Sequence, residues 1–156
     1  MKKISTVHAI AIGRHKGKPK DEVQEAYLRK DHGIDGDCHA GPGHRQISLL
    51  AWEDVALLKR KGINARPGDF AENLTIRGVD FSDIDVGSRM WIGNALIEVT
   101  EIGKSEWKEG DYSFQGVALV ARSGLFARVI EGSWIRPGVS IAAAKRISAE
   151  DKSAPR

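Results

Sequence analysis

The residues able to do chemistry are concentrated between Gly33 and Leu50, Gly-Ile-Asp-Gly-Asp-Cys-His-Ala-Gly-Pro-Gly-His-Arg-Gln-Ile-Ser-Leu-Leu. Cys38 is the only cysteine of the 156 residues, so it alone can form a thiolate or carry a persulfide. Beside His39 it reads as an activated thiol or, equally, as a small filler of a glycine-rich loop. His39 and His44 are five residues apart, and a metal would need a third ligand. With Asp37 they would suit metal-assisted hydrolysis. Without a further donor they suit the loop's own hydrogen bonds or an anionic ligand, and we assign no metal. Asp37 fits acid–base work or capping of the loop backbone. Arg45, and Arg128 further along, offer a permanent forked charge matched to phosphate; on surface statistics either is a solvated residue. Asn73 can donate and accept together or close a turn, and Glu72 can pair with an arginine.

Such residues must be positioned. Glycines 33, 36, 41 and 43 let the backbone take positive φ and approach a ligand. The loop runs directly into Ile47-Ser-Leu-Leu50, apolar enough to be buried, and a loop anchored on a core strand is held rigidly. Lys3 to His15 alternates as a first strand. Lys16-Gly-Lys-Pro-Lys20 is a turn, and Val23 to Arg29 a second strand, with a helix also compatible. Ala51 to Lys61, stopped by Gly62, is the clearest helix. Strands follow over Glu72 to Arg77, Gly87 to Ile92 and Ala95 to Ile102, the last two forming a hairpin across Gly93-Asn94. Gly103 to Gly116 is irregular, Val117 to Ala121 is a short helix or buried strand, and Gly124 to Ile130 and Val139 to Ile147 are strands. Seven or eight strands with one good helix predict a β-barrel-like fold with helical insertions. One domain over 1–148 and a flexible tail over 149–156 are expected.

Composition narrows the setting. A hydrophobic fraction of 41% with 29% charged residues is ordinary for a globular domain. The longest apolar runs are far too short for a membrane span, and the N-terminus lacks the apolar stretch of a secretory signal. A single cysteine suits a reducing cytoplasm. The net charge of +3 comes with interspersed acids, which argues against a nucleic-acid face but suits an anionic ligand.

Several motifs, in order, resemble the MOSC domain, the C-terminal domain of molybdenum cofactor sulfurases. They are Gly36-Asp37-x-His39-Ala40-Gly41 with His44-Arg45-Gln46-Ile47-Ser48-Leu49, and Pro67-Gly68-Asp69-Phe70-Ala71-Glu72-Asn73-Leu74-Thr75. Val86-Gly87 leading to Trp91-Ile92-Gly93 follows, then Gly124-Leu125-Phe126-Ala127-Arg128-Val129 and Arg136-Pro137-Gly138. The resemblance spans about residues 4 to 145 and describes a stand-alone member. It implies a mostly β, closed barrel with a few short helices. It also implies binding of a molybdopterin-type ligand or molybdenum cofactor, and sulfur handed on for cofactor sulfuration. The implied partner is a PLP-dependent cysteine desulfurase or a molybdoenzyme; PLP would belong to the desulfurase, since no lysine here sits in a recognisable PLP site. Asp37, His39, His44, Arg45, Glu72, Asn73 and Arg128 would bind the ligand, Asn73 by donating and accepting together as a pterin edge demands. The chain departs from the family between Gly103 and Gly124, where the sulfur-carrier cysteine is usual and none is present. Cys38 is then the only possible catalytic thiol, and the alternative is a non-catalytic cofactor- or oxyanion-binding module. The glycine loop, Asn73 and Arg128 are expected on one concave surface, made electropositive by Arg45, Arg128 and Lys104.

Overall fold

The computed structural model describes residues 4–104 and 110–144. The tail expected over 149–156 lies outside these, as do Ser105, Glu106 and Trp107. Eleven strands and two α-helices are formed by the described residues, so the chain is mostly β as expected.

The strands are β1 (Thr6–Ile12), β2 (Asp21–Val23), β3 (Ala26–Arg29), β4 (Gly33–Ile34), β5 (Ile47–Ala51) and β6 (Leu74–Arg77). They continue with β7 (Arg89–Ile92), β8 (Ala95–Ile102), β9 (Leu125–Glu131), β10 (Ser133–Ile135) and β11 (Ile141–Ala144). Eight form one sheet in the order β11-β7-β8-β9-β5-β6-β1-β2, and β10-β3-β4 form a second. The closed barrel implied by the resemblance is not what the strand order gives, which is an open, mixed sheet. The chain leading into the edge strand β11 does meet the start of β1, the strand next to the opposite edge. Val7 donates to Val139 at 3.0 Å, Gly138 to Val7 at 2.8 Å and Ile141 to Ser5 at 2.9 Å, and Thr6 bridges Ser140.

Strand β5 explains the layering. All five of its residues are buried, the pattern of a strand covered on both faces. Ile47 and Leu49 face the main core with Ile10, Leu74, Ile97 and Leu125. Leu50 faces a second core with Val55, Ala65, Phe70 and Leu119, built on the sheet's outer side by the helices α1 (Trp52–Arg60) and α2 (Leu119–Ser123). Helix α1 carries Glu53 and Asp54 in its first turn and Lys59 and Arg60 in its last, the charge order that suits its dipole. It connects β5 to β6, which run parallel with Leu49 opposite Leu74.

The expected strand over Val23 to Arg29 is divided: β2 pairs with β1, whereas β3 leaves for the small sheet. Apolar alternation breaks at Gln24 and Glu25, two polar residues in succession, and resumes at Ala26 and Leu28 in the second sheet. The hairpin across Gly93-Asn94 forms in the expected register, with Ile92 opposite Ala95. Val117 to Ala121 resolves toward helix, as α2. Strand β10 was not anticipated, being only three residues long.

Candidate functional site

After β1 the chain turns through residues 13–20 and lies against the glycine loop and the Arg66–Asp69 turn. Lys20 is at the centre of this junction, with its side chain 1% exposed. Two glycines make room for it. A Cβ on Gly13 would stand 2.8 Å from Lys20 Cγ, and one on Gly68 would stand 2.2 Å from the Lys20 carbonyl oxygen. The Lys20 amide donates to the Gly68 carbonyl at 2.8 Å.

The Lys20 ammonium meets three consecutive residues of the loop. It lies 2.7 Å from Asp37 Oδ1, 3.0 Å from His39 Nδ1 and 3.8 Å from Cys38 Sγ. Asp37 also accepts from the Gly13 amide at 2.9 Å and from the His39 amide at 3.0 Å. Burial pushes the Asp37 carboxyl up, but the Gly13 amide, the Lys20 ammonium and the His39 amide together hold it below its ordinary value. Burial and then the Lys20 charge push His39 down, against the pull of Asp37. Asp37, Cys38 and His39 present ligand atoms within 4.8 Å of one another, as a metal site would. The Lys20 ammonium already engages those same lone pairs.

His39 lines a cleft of about 140 Å³. Other polar walls are Arg45, Ser48, Asn73, Lys104, Asp111 and Tyr112, and apolar ones include Ile47, Phe70, Val120 and Phe126. Sheet alternation explains part of the list, since Ser48 and Phe126 point outward between inward-facing neighbours. The cleft cations have carboxylate partners. Arg45 binds Glu101 through Nε at 2.8 Å and Nη2 at 2.9 Å, and its guanidinium lies 5.0 Å from the Phe126 ring centroid. Lys104 is 2.6 Å from Asp111. The expected electropositive surface is thus largely neutralised at contact range.

The sequence-derived candidates divide. His39, Arg45 and Asn73 line the cleft. Asp37 is buried, bonded to Lys20 and capping the loop amides. Cys38 stands beside His39, Sγ to Nδ1 3.4 Å. Asn73 is committed to the scaffold: its Oδ1 accepts from the Ser48 amide at 3.0 Å and its Nδ2 donates to Ala11 at 3.2 Å. That pins β1, β5 and β6 together, a scaffold role in keeping with the turn-closing reading. Among the described residues Glu72 pairs with no arginine; it is fully buried, and Oε2 accepts from Thr75 at 3.1 Å. Its Oε1 has no partner of good geometry among the described residues. His44 is exposed on the rim, 3.6 Å from Glu101. Arg128 is away from the cleft, held with Arg89 on Glu98 at 3.0 and 3.1 Å across β7, β8 and β9. Lys20 was missed because nothing in the sequence separates it from Lys16 and Lys18; only burial does.

Residues 32–103 match the MOSC domain family model. The resemblance read from the motifs therefore holds over that segment. None of the curated proteins compared with the chain matches it. Among solved structures, YiiM from Geobacillus stearothermophilus superposes with a TM-score of 0.68 at 20% identity, over 93% of this chain and 77% of that one. YiiM from Escherichia coli gives 0.63 at 21%, over 91% and 71%. The YUAD protein from Bacillus subtilis gives 0.66 at 16%, over 88% and 93%. At these identities the likeness is one of fold.

Proposed function

We propose that this MOSC-like chain binds the anionic end of a molybdopterin-type ligand in the His39–Arg45–Lys104 cleft and that Cys38 carries sulfur beside it. The carrying observation is the setting of the only thiol: Sγ is 3.4 Å from the ring nitrogen of a cleft-lining histidine and 3.8 Å from a buried ammonium. A thiolate or persulfide there has a cation at hand and a ligand site next to it.

The donor set fits such a ligand in part. Arg45, Lys104 and His39 can hold an oxyanion or phosphate, and about 140 Å³ takes one end of a cofactor rather than a whole pterin. Asn73 lines the cleft, and the bonds of its amide to Ser48 and Ala11 hold it in place there. When bound, the cofactor would supply the metal to which sulfur is delivered. The chain's own step is simpler. The Cys38 thiolate attacks the outer sulfur of a persulfide on a PLP-dependent cysteine desulfurase. The S–S bond of the donor breaks, its cysteine leaves as a thiolate, and Cys38 becomes the persulfide.

A non-catalytic oxyanion-binding module is the second reading, favoured by the lack of a cysteine between Gly103 and Gly124. One experiment separates them. The protein is incubated with a cysteine desulfurase and sulfur-labelled cysteine, beside Cys38→Ser. Label on the wild type alone is expected; an unlabelled wild type that still binds a phosphorylated pterin would leave only the binding module.

A further inference from the structure

A protonated lysine has three N–H donors and no acceptor. Lys20 has three neighbours within reach: Asp37 Oδ1, His39 Nδ1 and Cys38 Sγ. Each must therefore accept. For Asp37 that is its ordinary role. For His39 it decides where the ring proton sits, because a nitrogen that accepts cannot also carry a hydrogen.

We propose that Lys20 is a positioning residue that fixes His39 as the neutral tautomer with its proton on Nε2, so that the cleft is presented with an N–H donor. The functional meaning of this rests on the anion-binding reading of the cleft. An Nε2–H donor recognises oxyanion or carbonyl oxygen and cannot act as a base toward the ligand. It also removes a proton switch. The groups facing His39 are Lys20, Asp37, Lys16, Lys104 and Cys38. Protonation of Nδ1 would set an imidazolium N–H against the Lys20 ammonium 3.0 Å away. Burial and that charge both disfavour the cationic ring.

Lys20 is itself held against drift. Its stem crosses Gly13 where a methyl group would collide, and its backbone is clasped by Gly68. A side chain built in so tightly sets the ring beside it.

The test is nitrogen NMR of the histidine rings, with His39 assigned by loss of its signals in His39→Gln. From about pH 6 to about pH 8, the range in which a free histidine titrates, wild-type His39 should keep an unprotonated Nδ1 and a protonated Nε2. In Lys20→Met the Nδ1-protonated form should appear and the ring should titrate at higher pH. Should that variant fold poorly, Lys20→Met/Asp37→Asn removes both buried charges together and should again release the tautomer. Sulfate, an anion whose charge is constant over this range, should bind the wild type with unchanged affinity and the released variants more tightly at low pH. A proton on Nδ1 in the wild type, or the same tautomer in all three proteins, would overturn the assignment. If sulfate moves no cleft resonance while the tautomers behave as stated, the positioning role stands and the anion-site reading falls.

Discussion

Glu72 is the residue whose setting most constrains it. Its carboxyl is fully buried, and burial outweighs the nearby amides of Gly68, Glu72 and Phe70 and the Thr75 hydroxyl, raising it from 4.5 to about 7. The folded chain thus holds a proton that the unfolded chain releases. Stability from this source is complete below about pH 4.5 and is lost as pH rises through about 7. The difference is on the order of 3 kcal/mol. Glu72→Gln should flatten that fall, so the variant should gain on the wild type in urea unfolding at pH 8 relative to pH 5. Equal pH slopes for the two proteins would mean that Glu72 is not protonated in the fold. The residue's polarity and motif position suggested an arginine partner; sequence does not tell that the Phe70–Asn73 segment goes under the helix layer. Cys38 shows the same limit, since whether its sulfur turns toward or away from His39 depends on the loop's path.

At the scale of elements, the turn Arg66–Asp69 is what presses residues 13–20 onto the glycine loop. Gly68 has φ of +92° and no room for a Cβ beside the Lys20 carbonyl. Gly68→Ala should therefore cost at least about 2 kcal/mol, combining backbone strain and a steric clash. Gly17→Ala is the control: φ is +75° but nothing lies within 4 Å, so about 1 kcal/mol of backbone strain is expected. Denaturant midpoints compare them, and equal losses would show that the contact with Lys20 does not matter. The elements that packing made inevitable were legible, namely α1, β5 and the Gly93-Asn94 hairpin, because periodicity and turn chemistry agree there. The split of β2 from β3 was not. Its local trace is the pair of polar residues Gln24 and Glu25, while the sheet that β3 joins is a property of the whole fold.

For the molecule as a whole, charge placement separates the two arginines that sequence alone treats alike. Both lie on the sheet's outer side, yet Arg45 lines the cleft while Arg128 is locked with Arg89 on Glu98. A shared site for the glycine loop and Arg128 was a reasonable expectation from motif order, but motif order carries no distances. Arg45 also neutralises Glu101, so its removal would leave a carboxylate at the rim to repel an anion. The most direct measurement is calorimetric titration of a phosphorylated pterin into the wild type, Arg45→Ala and Arg128→Ala. Arg45→Ala should weaken binding by roughly 1.5–3 kcal/mol, the scale of a charge-assisted hydrogen bond, while Arg128→Ala leaves the Kd unchanged. A Kd that responds to Arg128 and not to Arg45 would contradict the assignment of this cleft as the ligand site.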